Sequence, residues 1–340
     1  MPAASRLFGV GVGATALTAE EEEILEGLPP RAVILFRRNV GSVDQLLELT
    51  SRIRELPGRP RLCVDQEGGP VDRFRDLLGP AISFREAARA GVSRRAGELA
   101  GEACARLGFD VDLAPVVDRL LPGASERVLK DRCAPGEPAA IAQAADEFLS
   151  GLHARGVGGC VKHFPGLGRA DLDTHRELPR ISLDPEEERR DLAPFEATIE
   201  EARAVMISHA AGPDGIPASL SPAKATELLR GTLGFAGAAF SDDLEMGALA
   251  AFGSLAERCA VAARAGCDLL FVCSRISEYP GCVEQVEARV AASRIEEASR
   301  RLDAYANHLD EIRSATPTSD RPLSALIEEV AELTKRGLRA

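Results

Sequence analysis

The chain has 340 residues and a formal net charge of −12, and it contains no basic run of the kind that nucleic-acid binding needs. We therefore expect no nucleic-acid partner. Hydrophobic residues make up 45% of the chain, an ordinary value for a globular protein with a large core. No run approaches the roughly 18 consecutive apolar residues that a membrane span needs, so we expect no membrane partner either.

Eight short apolar runs predict parallel strands that are buried on both faces. In chain order they span residues 8–12, 32–36, 62–65, 111–117, 159–163, 204–209, 238–242 and 268–273. Longer amphipathic segments predict helices at 43–56, 84–107, 138–155, 185–202, 222–233 and 248–265. Residues 283–339 also have a helical pattern and are highly charged, with an interruption near 316–321.

The alternation of strands and helices predicts the fold class. It indicates a parallel α/β protein, and eight units favour a single closed (β/α)8 TIM-like barrel over an open sheet. We expect the barrel to span residues 1–282 and residues 283–340 to form a C-terminal helical extension packed on it. The rival dinucleotide fold needs G-x-G-x-x-G after its first strand, whereas Gly9, Gly11 and Gly13 supply only G-x-G-x-G.

The cysteines bear on the redox compartment. None of the eight forms a C-x-x-C pair, and three lie inside predicted strands. We interpret them as small buried hydrophobic residues of a cytoplasmic protein, with disulfides or a metal site as the alternative. We also expect a monomer. The cysteines are Cys63, Cys104, Cys133, Cys160, Cys259, Cys267, Cys273 and Cys282.

Polar side chains recur at the carboxyl ends of the predicted strands, where barrel enzymes carry their active sites. Buried charges are costly unless they are paired, so several of them at one rim predict a functional site. For two of them a structural role is equally open: His209 could be a buried core histidine and Asp118 could anchor a loop. The rim residues are Asp65, Asp118, Lys162, His163, His209 and Asp242.

Asp242 and Asp243 compete for the central position. Adjacent residues of a strand face opposite ways, so we expect only one of them to point into the rim. Asp242 ends the predicted strand, whereas Asp243 begins the loop and could bind backbone or supporting groups. We therefore favour Asp242.

The loop after the fifth strand contains a second candidate pair. Asp173 and His175 are two residues apart, so in an extended loop their side chains fall on one side. A carboxylate next to an imidazole fixes its tautomer and raises its pKa, which suits proton transfer near neutral pH. We expect Gly166 and Gly168 to make this loop mobile.

Several segments, in order, resemble one known family. They are Ile-Leu-Phe-Arg-Arg-Asn at 34–39, Asp-Gln-Glu-Gly-Gly at 65–69, Lys-His-Phe-Pro-Gly at 162–166, Asp-Thr-His at 173–175, Ser-Asp-Asp-Leu at 241–244 and Ala-Gly-Cys-Asp at 265–268. They are similar to motifs of bacterial β-N-acetylhexosaminidases of glycoside hydrolase family 3, over about residues 8–275. Departures from the family's pattern fall in loops near the site, at Leu167, Pro70 and Glu245 and, within residues 130–134, at Lys130, Cys133 and Ala134.

The resemblance implies a retaining hydrolysis of terminal β-linked N-acetylglucosamine (GlcNAc), from cell-wall fragments recycled in the cytoplasm, without metal or organic cofactor. Asp242 would be the nucleophile, and His175, oriented by Asp173, the general acid and base. The absence of Trp fits a compact pocket for such a carbohydrate. The residues matching the family's sugar-binding positions are Asp65, Arg73, Arg132, Lys162 and His163, and we add His209 as a candidate.

Three alternatives remain open at this point. A β-glucosidase or a glycoside phosphorylase could use the same scaffold. A Schiff-base lyase could use Lys162, but it would leave Asp242 and the Asp173–His175 pair without roles. A non-catalytic sugar-binding barrel would likewise not need Asp242 and His175.

Overall fold

The computed structural model describes residues 2–120, 129–168, 178–179, 181, 184–317 and 319–339. Its main sheet is parallel, and a two-stranded antiparallel hairpin follows the third strand of that sheet. The main-sheet strands are β1 (Phe8–Gly11), β2 (Ala32–Leu35), β3 (Arg61–Val64), β6 (Val111–Asp112), β7 (Gly158–Gly159), β8 (Val161–Phe164), β9 (Ala204–Ile207), β10 (Ala238–Asp243) and β11 (Leu269–Val272). The hairpin strands are β4 (Gln66–Gly68) and β5 (Val71–Asp72).

The sheet closes into a barrel at the fifth predicted strand, which Cys160 divides into β7 and β8. β7 pairs with β6 on one side and β8 pairs with β9 on the other. The backbone N–H of Cys160 donates to Ala114 across the same junction (3.0 Å). The nine segments of the sheet therefore form the eight strands of a (β/α)8 barrel, which confirms the predicted fold class.

Helices surround the barrel. Helix 185–202 has its predicted bounds, while the predicted helix 84–107 is two helices, because Gly91 adopts a positive φ of 62° between them. Residues 223–232 wind as a π-helix. The main helices are Ala19–Gly27, Val43–Glu55, Phe84–Arg89, Ser93–Arg106, Pro138–His153, Pro185–Ala202, Ala223–Thr232, Leu255–Ala265, Tyr279–Arg289, Ala292–Ser314 and Leu323–Gly337.

The helix Ala292–Ser314 covers the amino-terminal ends of the strands. Its Leu302, Tyr305 and Leu309 join the apolar side chains that fill the barrel interior. The Tyr305 hydroxyl donates to the carbonyl of Gly159 (2.9 Å), and Arg294 pairs with Asp268 at the start of β11 (2.8 Å). This end of the barrel is therefore closed, and the carboxyl ends of the strands are left to form a site.

Three sequence-based expectations concern the molecule as a whole. All eight cysteines are buried and free, as expected for small hydrophobic residues. Across the described ranges, no helix has both the length and the apolar character needed to cross a membrane. The predicted boundary between the barrel and the C-terminal extension, at residues 282 and 283, stays a prediction.

Candidate active site

A cavity of about 340 Å³ opens at the carboxyl ends of the strands. Charged side chains from three barrel strand ends and two connecting segments line it, together with apolar side chains. The polar lining consists of Asp65, Glu67, Arg73, Arg132, Lys162, His163, Asp242 and Asp243, and the apolar lining includes Ile34, Phe36, Leu113, Leu167, Met206, Met246 and Phe271.

Lys162 is the centre of an ion-pair network on one wall. Its Nζ lies 2.7 Å from Asp65 Oδ1 and 2.6 Å from Glu67 Oε1. Arg132 binds Glu67 through Nε (2.8 Å) and Nη2 (3.0 Å), and Arg73 lies 3.3 Å from Asp65. Two carboxylates and three cations thus fix one another, and they leave donors and acceptors in place for a hydroxyl-rich ligand.

The pKa values in this network follow from burial opposed by pairing. Burial alone would raise the pKa of Asp65 and Glu67, but Lys162 and the arginines hold the pKa of Asp65 far below its usual value and that of Glu67 at about 2. Burial alone would lower the pKa of Lys162, but the two carboxylates raise it well above its usual value. All three groups are therefore charged at neutral pH, which disfavours Lys162 as a Schiff-base nucleophile.

His163 is held in one tautomer by its two neighbours. Its Nε2 lies 3.3 Å from Arg132 Nη2, and its Nδ1 lies 2.7 Å from Asp118 Oδ2. A guanidinium can only donate, so Nε2 accepts and the proton resides on Nδ1, which donates to Asp118. The Lys162–His163 peptide bond is cis, and both side chains line the cavity.

Asp242 and Asp243 both line the cavity, contrary to the expectation from strand alternation. The register of β10 against β11 shifts between Phe240 and Asp243, so simple alternation does not apply there. The Asp243 N–H donates to Asp242 Oδ1 (2.8 Å). Burial alone would raise the pKa of Asp242, but this N–H and the charge of Lys162 hold it below its usual value. Burial, reinforced by Glu245, raises the pKa of Asp243 to about 7.

His209 lies behind the cavity and does not line it. Its Nε2 is 2.8 Å from the Asp243 carbonyl and its Nδ1 is 2.7 Å from Ser219 Oγ. The carbonyl can only accept, so Nε2 carries the proton and Nδ1 accepts from Ser219. Burial lowers the pKa of His209, which favours this neutral form.

The structure brings six of the predicted site residues to one cavity, namely Asp65, Arg73, Arg132, Lys162, His163 and Asp242. Asp173 and His175 lie outside the described residues. Prediction from sequence missed Glu67 as a site residue. It is two residues from Asp65 in an extended segment, and that spacing places both side chains on one face.

The fold and cavity are those of a glycoside hydrolase barrel, and comparison with known proteins identifies the family. The Glycosyl hydrolase family 3 N terminal domain matches residues 6–305, so the chain belongs to glycoside hydrolase family 3. A protein named beta-hexosaminidase from Xanthomonas oryzae pv. oryzae is 39% identical over 283 residues, covering 78% of this chain and 82% of its own length. The beta-hexosaminidase of Idiomarina loihiensis is 33% identical over 302 residues, covering 86% and 90%.

Solved structures agree with the family. A family 3 β-N-acetylglucosaminidase from Paenibacillus sp. str. FPU-7 superposes with a TM-score of 0.87 at 26% identity, covering 98% of this chain and 68% of that one. NagZ from Neisseria gonorrhoeae, solved in complex with N-trifluoroacetyl-D-glucosamine, superposes with a TM-score of 0.81 at 27% identity, covering 96% and 97%.

Proposed function

We propose that this protein is a retaining β-N-acetylglucosaminidase that removes terminal β-linked GlcNAc, with Asp242 as the nucleophile. The observation that carries the proposal is the environment of Asp242, an ionised carboxylate in a cavity that is also lined by a network of hydrogen-bonding charges. The names of its relatives supply the sugar.

The other carboxylates of the cavity argue for a nucleophile at Asp242. Asp65 and Glu67 are both bound by cations, which keep their pKa values far below neutral pH. They are therefore better suited to accept hydrogen bonds from sugar hydroxyls than to attack a carbon atom. In the proposed reaction Asp242 attacks the anomeric carbon, the bond to the leaving oxygen breaks, and that oxygen takes a proton from His175. A water then gives its proton to His175 and attacks the anomeric carbon, which releases the sugar and the free carboxylate.

Asp173 would hold the imidazole of His175 in the tautomer that this proton transfer needs. We further propose that Asp65, Arg73, Arg132, Lys162 and His163 bind the sugar, and that the natural substrate is a peptidoglycan fragment. A cytoplasmic location is supported by the eight buried free thiols, which are typical of reducing compartments. We propose a monomer that uses neither metal nor nucleic acid.

Turnover of a para-nitrophenyl GlcNAc glycoside and of the matching glucoside, each with and without phosphate, tests this function. We expect the GlcNAc glycoside to be cleaved preferentially to free GlcNAc, with no sugar phosphate formed. Preferential cleavage of the glucoside would favour the β-glucosidase alternative, and phosphate-dependent formation of a sugar phosphate would favour the phosphorylase.

A further inference from the structure

The sugar-binding wall is the part of the cavity formed by the proposed sugar-binding residues, namely Asp65, Arg73, Arg132, Lys162 and His163. Asp118 is a fully buried carboxylate directly behind this wall. Its Oδ2 accepts from the backbone N–H of His163 (3.1 Å) and from His163 Nδ1 (2.7 Å). Its Oδ1 accepts from the backbone N–H of Leu167 (2.6 Å). One carboxylate thus holds two things: the His163 ring that lines the cavity, and residues 164–168. These residues are the stem of the loop that continues in sequence to Asp173 and His175.

The same stem is fixed from a second direction. A Cβ on Gly168 would lie 1.7 Å from the carbonyl oxygen of Arg119, so the loop backbone packs directly against the residue after Asp118. Arg119 is itself held by a short ion pair with Asp191, and a Cβ on Gly166 would lie 3.3 Å from the Asp191 side chain. Gly166 and Gly168 therefore allow close packing of the stem, while the expected mobility of the loop after them stays a prediction.

We propose that Asp118 is a positioning residue that couples the sugar-binding wall to the acid/base loop. This inference rests on the proposed function. By fixing His163 and Leu167 together, Asp118 sets where the loop leaves the barrel relative to the bound sugar. Proton transfer by His175 depends on that placement, because small displacements of a catalytic group cost large factors in rate.

The Asp118→Asn variant tests this role because an amide cannot satisfy all three donors. One of the two oxygens becomes an NH2 group, which then faces either the Leu167 N–H or the two N–H groups of His163. His163 cannot adapt by moving its proton to Nε2, because that proton would face Arg132. Either orientation therefore breaks the link between wall and loop while keeping the size of the side chain.

We expect the loss of kcat/KM to depend on the leaving group. An activated aryloxide can leave as an anion, whereas an alkoxide needs a proton from the general acid. In the Asp118→Asn variant, kcat/KM for methyl GlcNAc should fall about 100-fold or more, which is within the usual contribution of general acid catalysis. For dinitrophenyl GlcNAc, kcat/KM should fall less than about 10-fold. Gly168→Ala, which displaces the stem without changing a charge, should produce the same pattern and serves if the first variant does not fold.

The Asp268→Asn variant is the matched control. Asp268 is equally buried and accepts from the Ala239 N–H, Arg230 and Arg294, but it lies at the opposite end of the barrel. It should lose stability without any change in leaving-group dependence. Equal losses on both glycosides in the Asp118→Asn and Gly168→Ala variants would overturn the inference. Failure of the wild-type enzyme to cleave either GlcNAc glycoside would instead overturn the proposed function.

Discussion

The charged side chains of the cavity fall into two groups. Lys162 pairs with both Asp65 and Glu67 at distances below 3 Å. Within the described ranges, Asp242 has no ion pair, and its charge is stabilised by the Asp243 N–H and by the nearby Lys162. A buried carboxylate without a bound cation keeps more of its nucleophilicity than a paired one, so this difference separates binding residues from the proposed nucleophile.

His209 shows what the sequence could not reveal at this scale. Its position at a strand end leaves open whether it contacts the ligand or is a buried core histidine, and the structure shows its ring bound to Ser219 and the Asp243 carbonyl. The Ser219 partner comes from a later short helix, and only the tertiary fold brings the two together. Glu67, by contrast, could have been predicted from its spacing to Asp65.

We expect His209→Ala to lower kcat about 10-fold or more with a small change in KM. The substitution removes the hydrogen bond that fixes the Asp243 carbonyl, and the N–H of the same residue holds Asp242. Loss of a donor aimed at a reacting group lowers the rate by at least this factor. Steady-state kinetics on para-nitrophenyl GlcNAc measure the effect. Ser219→Ala keeps the contact to Asp243 and is the matched control; a larger rise in KM than fall in kcat in His209→Ala would point to ligand binding by His209.

At the scale of elements, the strands were predictable because each is a near-continuous apolar run between amphipathic helices. The boundaries differ where local backbone chemistry intervenes. The predicted strand 111–117 pairs regularly only at Val111–Asp112, and the Ala114–Pro115 bond that follows is cis. Proline removes a backbone donor, so a regular ladder cannot continue through it.

β6 also carries a buried carboxyl group that should make stability depend on pH. Asp112 Oδ1 accepts from the Gln66 N–H (2.9 Å), while its Oδ2 has no hydrogen-bond partner among the described residues. Burial raises the pKa of Asp112 from 3.8 to about 7. The folded protein therefore keeps a proton that the unfolded chain loses, so this group's stabilising contribution falls as the pH rises from about 4 to about 7.

The Asp112→Asn variant should remove this dependence. The quantity to compare is the Tm of the variant minus the Tm of the wild type. We expect this difference to be larger at pH 8 than at pH 4 by about 3 °C or more. Thermal unfolding at both pH values measures the change, and Asp243, whose pKa is also raised, contributes equally to both proteins. An unchanged Tm difference across this range would show that Asp112 is ionised in the folded protein.

At the scale of the whole molecule, the barrel is completed by a helix that comes after its last strand. Tyr305 packs against Phe240 in the barrel interior, with ring centroids 5.8 Å apart, and donates to Gly159. The amphipathic pattern of residues 283–339 predicted helices there, but it could not show that one of them closes the barrel. That closure depends on contacts between residues far apart in sequence.

We expect Tyr305→Ala to lower the free energy of unfolding by about 3–5 kcal/mol, as for other large buried aromatic side chains. Tyr305→Phe keeps the ring, loses only the hydrogen bond to Gly159, and should cost about 1 kcal/mol. Urea denaturation of both variants measures the difference. A loss below 1 kcal/mol for Tyr305→Ala would show that this helix is an accessory layer and no part of the barrel core.

The covalent attachment of sugar to Asp242 tests the central claim most directly. The wild-type enzyme would be incubated with a slow fluorinated GlcNAc glycoside, digested, and its labelled peptide sequenced by mass spectrometry. We predict one glycosyl ester, on Asp242, and none in the Asp242→Ala variant, which should also lose hydrolysis while remaining folded. An ester on Asp243, or hydrolysis by Asp242→Ala at the wild-type rate, would contradict the assignment of Asp242 as the nucleophile.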